Sequence, residues 1–273
     1  MFLLNFNWTV YPDSRIARLR PVFLQKLALI LRNLAAMARR LRQPRRLANP
    51  LIAEALALAV EYVRGARMEG DIAEFGSHGR TSGIICRTVK NFRMKKSVHL
   101  FDSFEGLPTS TQEADFNSPL VKNQLWGQGA SRSGLTPQRL QIMMERFLPA
   151  EQIRIFPGWY KDTLSTIPEG TVYAMIHIDC DLYESTVEVL DYLFSHGMIT
   201  EGCIILFDDW NSNHASPRFG ERKAWRDMTE KYSVEFSDSG PYSWDGHRFH
   251  IHSYTRRPNQ PVGAVRTADH STA

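Results

Sequence analysis

The chain has little cysteine, no long unbroken apolar run and, over part of its first fifth, no acid at all. Cys86, Cys180 and Cys203 are the only cysteines in 273 residues, far apart and each in an apolar segment. That excludes a disulfide framework, and with no paired Cys and His spacing it excludes a zinc module as well. Buried thiols suit a reducing compartment, so a cytoplasmic location is expected. The opening MFLLNFNWTVYPDS has neither the basic start nor the small-residue cleavage site of a secretory signal. The longest apolar candidate, residues 22–38, is broken by Lys26 and Arg32, so no membrane span is expected.

Between Arg15 and Arg46 stand ten Arg or Lys residues and no Asp or Glu. Within that stretch Leu24, Leu27, Leu31, Leu34, Ala38 and Leu41 recur at helical spacing, which predicts a basic amphipathic helix over 21–42. Such a helix docks on a membrane surface or a nucleic acid, or it packs on the main domain or a second subunit. A single aromatic residue, Phe23, stands among the arginines, too few to stack successive bases, so a nucleic-acid partner is not expected. The apolar stripe points instead to a contact in a homo-oligomer. The domain plan is therefore a basic helical extension over 1–48, a main domain over 49–255 with a lid or insert at about 105–150, and a disordered tail over 256–273.

In the main domain, Asn49-Pro50 starts a helix that ends at Gly65. Asp71 to Phe75 reads as a strand, followed by the turn Gly76-Ser77-His78-Gly79 and a helix to about Asn91. A strand, a glycine turn and a helix can open a nucleotide-binding unit, although this turn is not GxGxxG. A second strand, Ser97 to Phe101, ends in Asp102, where an acid can accept hydrogen bonds from ribose hydroxyls. Residues 109–134 read as a long irregular loop. Further strands are expected at 153–156, 172–179 and 203–208, with helices at 136–148, 185–195 and 219–232 and a closing strand pair near 234–254. This alternation predicts an α/β fold, an open and mostly parallel sheet with helices on both faces.

Two strand ends carry the chemistry. The first runs into HIDCDLYEST (His177 to Thr186) and the second into LFDDW (Leu206 to Trp210). Carboxylates crowded at one sheet edge repel one another unless they share a cation, so Asp179, Asp208 and Asp209 read as oxygen ligands of a divalent metal such as Mg2+. Asp181, two residues beyond Asp179, reaches the same side in an extended segment and is the candidate general base. The alternative is an acid that supports the ligands from behind or caps the helix that follows. His177 shares that face but lies deeper, as a core histidine would.

The motifs EFGSHGRTS, FDSFEGLP, FPGWYKDTL, HIDCDLYEST and LFDDW, in this order, resemble those of the macrocin, mycinamicin and noviose O-methyltransferases. The resemblance implies a Rossmann-like methyltransferase fold, S-adenosylmethionine as methyl donor and Mg2+ as cofactor. It implies that Glu74, Gly76, Ser77 and Ser82 lie along the methionine part of the donor, Asp102 and Ser103 at its ribose, and Gly158 and Trp159 near its adenine. It also implies Asp179, Asp208 and Asp209 as metal ligands and Asp181 as base. The expected reaction is methylation of a sugar hydroxyl of a glycan or glycosylated natural product. The alternatives are a catechol-like or other vicinal-diol acceptor, or a non-catalytic donor-binding or surface-docking protein.

Overall fold

The computed structural model describes residues 50–256. The basic helix expected over 21–42, the extension that holds it and the tail from 257 lie outside the described residues. Pro50 opens α1 (Pro50–Gly65), its fixed φ suiting the first helical position. There follow β1 (Asp71–Phe75), α2 (Arg80–Asn91), β2 (Val98–Asp102), α3 (Glu113–Phe116), α4 (Pro119–Lys122), α5 (Pro137–Met144), β3 (Ile153–Pro157) and α6 (Tyr160–Thr163). The chain continues through β4 (Tyr173–Ile178), α7 (Tyr183–Ser195), β5 (Ile199–Phe207), α8 (Gly220–Tyr232), β6 (Glu235–Pro241) and β7 (His247–Ser253).

The seven strands form one sheet in the order β3-β2-β1-β4-β5-β7-β6. The first five are parallel, while β7 runs antiparallel to both β5 and β6. Strand order reverses between β1 and β4, which places a crevice at their carboxyl ends. Alternation along β5 builds the two layers. Cys203, Ile205 and Phe207 pack with Val189, Leu193 and Trp225 of α7 and α8. Ile204 and Leu206 face the other way, in one cluster with Leu56 and Val60 of α1 and Ile85 of α2. This is the expected Rossmann-like arrangement, with helices on both faces.

Residues 109–134 depart from the irregular loop read from sequence. They contain α3 and α4, and Ser118 caps α4 by accepting from the Val121 N–H at 3.3 Å, with Pro119 behind it. Asp115 of α3 is 1% exposed and caps a distant helix. Its carboxylate accepts from Tyr183 N at 2.8 Å and Glu184 N at 3.1 Å, the first turn of α7. Glu184 in turn accepts from Ser110 Oγ at 2.7 Å and from Thr111 N at 2.6 Å. The insert is thereby fastened to the helix that follows the acidic strand end.

On β2, His99 is 2% exposed, with Nδ1 2.9 Å from the Tyr173 hydroxyl. Burial pushes its pKa down to about 4, against the upward pull of Asp71, 3.9 Å from Nε2. The unfolded chain takes up this proton near the ordinary value of 6.5 and the folded chain only near 4, so stability is lost as pH falls through that window. Urea unfolding at about pH 7.5 and pH 4.5 should show wild type losing about 2 kcal/mol more than His99→Gln. Equal losses would mean that His99 is not held neutral.

Candidate active site

The carboxyl edge of the sheet encloses a cavity of about 700 Å³. Gly76 enters it from β1, residues 102–109 from β2, residues 158–161 from β3 and residues 179–181 from β4. Ser131 and Arg132 of the insert and Glu184, Ser185 and Glu188 of α7 close the sides. Gly76, Asp102, Ser103, Gly158, Trp159, Asp179 and Asp181, all singled out from sequence, thus share one cavity wall. Glu74, Ser77, Ser82, His177, Asp208 and Asp209 do not line it.

The first turn brings β1 and β4 into close backbone contact. Gly76 has φ +93°, and a Cβ built on it would lie 1.9 Å from the Asp179 carbonyl oxygen. Its N–H donates to Phe101 O at 2.9 Å, while Asp179 N donates to Phe75 O at 2.8 Å. Glycine is required here so that the acidic strand end can sit against the turn.

Glu74 occupies the sheet face covered by α2 instead of the open edge, because period-two alternation along β1 turns it away from Phe75. It is fully buried, accepts from the Ser82 hydroxyl and lies 3.2 Å from His177 Nδ1. His177 is likewise fully buried, and among the described residues its Nε2 has no hydrogen-bond partner. Burial lowers its pKa, but the hydrogen bond and charge of Glu74 raise it further, for a net upward shift. Ser77 is buried too, its hydroxyl 3.5 Å from Glu74 O. These residues support the turn from beneath.

Beyond β2, Asp102 accepts from Phe104 N at 2.5 Å and holds Gly158 through its carbonyl at 2.9 Å. Burial raises the Asp102 pKa. Ser103 folds back, its Oγ donating to Gly106 O at 2.9 Å. Trp159 is half-buried, and its carbonyl accepts from Thr163 Oγ1 at 3.1 Å.

The acids come together beyond β4 and β5, though not along an extended segment. Strand β4 stops at Ile178 and Asp181 has φ +60°, a left-handed turn that folds its side chain back beneath the insert. Ser131 Oγ lies 3.4 Å from Asp181 Oδ2. The helix-capping alternative for Asp181 is filled by Asp115. Burial and then the charge of Asp179 push the Asp181 pKa up to about 7. Burial and Asp179 likewise bring Asp208 to about 6, and burial, Asp181 and Glu221 push Asp209 well up. Asp208 also accepts from the Tyr242 hydroxyl at 3.1 Å and Asp209 from Ser212 Oγ at 3.1 Å. His78 lies 3.6 Å from Asp179 and donates from Nε2 to Ser131 O at 3.0 Å, and pairing with Asp179 raises its pKa to about 10.

Burial and neighbouring charge raise the pKa values of Asp181, Asp208 and Asp209, no Lys or Arg is paired to them among the described residues, and clustered oxygen donors of this kind have the chemistry of a divalent-cation site. As the side chains stand, turned onto protein partners, no group of three or more His, Cys, Asp or Glu among the described residues is arranged to hold an ion. Glu221, fully buried at the start of α8, was not singled out from sequence. Its Oε1 accepts from Cys180 N at 3.3 Å and its Oε2 from Asp209 N at 3.0 Å. Among the described residues, no helix is long and apolar enough to cross a membrane.

Comparison with known proteins places this arrangement in a family. A tetracenomycin-type rhamnosyl 4'-O-methyltransferase, 8-demethyl-8-(2,3-dimethoxy-alpha-L-rhamnosyl)-tetracenomycin-C 4'-O-methyltransferase of Streptomyces olivaceus, is 30% identical over 192 residues, 69% of this chain and 67% of that protein. Demethyldecarbamoylnovobiocin O-methyltransferase of Streptomyces niveus is 29% identical over 58% of this chain and 59% of its own length. Mycinamicin III 3''-O-methyltransferase of Micromonospora griseorubida is 29% identical over 52% and 55%. The chain therefore spans little more than half of the last two. Among solved structures, the O-methyltransferase NovP superposes with a TM-score of 0.59 at 24% identity, over 74% of this chain and 79% of its own. The calicheamicin methyltransferase CalS11 gives 0.55 at 20%, over 76% and 80%. Both show the fold. The profile of the macrocin O-methyltransferase family (TylF) matches residues 45–234, and the chain belongs to that family.

Proposed function

We propose that this protein transfers a methyl group from S-adenosylmethionine to a sugar hydroxyl of a glycosylated small molecule, with a divalent cation, Mg2+, at its acidic strand ends. The observation that carries the reading is one cavity in which the donor-type residues Gly76, Asp102 and Gly158 face Asp179 and Asp181. Family membership supports methyl transfer, and the relatives' names supply the acceptor class: a rhamnosyl group, a novobiocin precursor and a mycinamicin. Asp102 would take the ribose hydroxyls, Gly76 would let the methionine part pass close to the backbone, and Gly158 and Trp159 would border the adenine, with Ser103 shaping the turn between. Glu74, Ser77 and Ser82 would act from below, holding that turn.

Asp179, Asp208 and Asp209 would hold the cation, which when bound supplies a template and Lewis acidity for an acceptor hydroxyl. Asp181 takes the proton from that hydroxyl as its oxygen bonds to the methyl carbon and the carbon–sulfur bond breaks, leaving S-adenosylhomocysteine. His78 tethers Ser131 of the insert beside Asp179 and so helps exclude water from the cavity. The three free, buried cysteines support a cytoplasmic setting.

The test is a labelled methyl donor offered with Mg2+ to a panel of glycosides and aromatic diols, read by mass spectrometry. Label on a sugar oxygen is the expected result. Label on the aromatic diols alone would overturn the sugar assignment, and label on neither would overturn the activity.

A further inference from the structure

The two acidic strand ends meet at one side chain that belongs to neither. Glu221 lies twelve residues beyond Asp209, 0% exposed, and each of its oxygens accepts a backbone N–H from a different acidic loop. One N–H is that of Cys180, which stands between Asp179 and Asp181. The other is that of Asp209 itself. Among the described residues no Lys, Arg or His forms an ion pair with Glu221, and its side-chain hydrogen-bond partners are these two amides. Both loops follow parallel neighbours, β4 and β5, whose own ladder ends at Ile178 and Phe207. Beyond that last pair the two loops are joined by Asp208 N donating to Ile178 O at 3.0 Å and by the two bonds to Glu221.

We propose that Glu221 is a positioning residue: it clasps the loops after β4 and β5 and fixes the distance at which Asp179 and Asp181 face Asp208 and Asp209. The inference rests on the metal-dependent reading above. Glu221→Gln keeps the shape but replaces one acceptor with an NH2 that meets an N–H head on, so one loop is released. Glu221→Asp keeps both acceptors on a stem one methylene shorter and restores part of the clasp. Groups that orient ligating side chains typically change metal affinity by about 10–100-fold when removed.

The experiment is calorimetric titration of Mn2+ into the protein saturated with S-adenosylhomocysteine, with kcat and the donor KM measured in parallel. Expected is Mn2+ binding by wild type, about tenfold or more weaker in Glu221→Gln, with intermediate affinity in Glu221→Asp. Binding of S-adenosylhomocysteine and the donor KM stay at wild-type values while kcat falls, because the donor side of the cavity is untouched. A folded Glu221→Gln with wild-type Mn2+ affinity and kcat would overturn the proposal. So would equal loss of donor and Mn2+ binding in both variants, which is the signature of a merely structural acid. If Glu221→Gln does not fold, Glu221→Asp decides: weakened Mn2+ with intact donor binding supports the clasp, and wild-type Mn2+ affinity overturns it. Failure of wild type itself to bind Mn2+ overturns the metal reading, a result distinct from the others.

Discussion

Asp181→Asn lowers kcat by about 10²–10⁴-fold while binding of S-adenosylhomocysteine stays at the wild-type level. The amide has the size of the carboxylate it replaces, so the left-handed turn and the contact with Ser131 can persist, but it cannot accept the hydroxyl proton. Stability separates this outcome from simple damage to the site. The folded pKa of Asp181 is raised to about 7 from an ordinary 3.8. As pH rises through that window the unfolded chain releases the proton first, so the wild-type carboxyl makes folding progressively less favourable, and the cost is largest above pH 7. Asp181→Asn lacks that penalty. Thermal melts in EDTA should therefore show the variant unfolding at a higher temperature than wild type at pH 8, with the gap closing toward pH 4. A variant that loses both activity and stability at pH 8 would contradict the assignment.

Gly76→Ala is expected to have the larger effect on the fold. Its Cβ would have to share space with the Asp179 carbonyl oxygen, 1.9 Å away, in a backbone conformation at φ +93° that alanine resists. The backbone of β4 cannot yield without loosening the bond from Asp179 N to Phe75 O. Strain and a weakened ladder together cost about 3 kcal/mol or more, a fall in Tm of roughly 6–12 °C, with loss of turnover because the acidic strand end is displaced. Gly129→Ala is the control. Gly129 also has positive φ, +74°, but open space where the Cβ would go, so only backbone strain of about 1 kcal/mol is expected. Equal melting temperatures for the two variants would show that the close approach at Gly76 does not matter.

The strands were legible because buried apolar runs such as residues 173–178 and 203–207 stop abruptly at acids, and parallel strands need little more to be seen. The acids at those ends were legible for the same reason. Glu74 was harder: near a strand end it reads as a group at the open edge, yet alternation along β1 points it under α2 into a buried hydrogen bond with Ser82. Asp181 reads as extended by its spacing from Asp179, whereas its backbone takes a left-handed turn at φ +60° that its spacing does not mark. Asp115 and Glu221 were invisible for a shared physical reason. Each satisfies backbone N–H groups remote in sequence, at Tyr183 and Glu184 for one and at Cys180 and Asp209 for the other. A capping acid 68 residues upstream of its helix has no local signature.

The measurement that bears most directly on the account is methyl transfer to a glycoside followed as free Mg2+ is varied, in wild type and in Asp208→Asn. The account predicts that EDTA takes wild-type transfer to background, that Mg2+ restores it, and that Asp208→Asn needs far more Mg2+ for the same rate. Undiminished transfer by wild type in EDTA would contradict it.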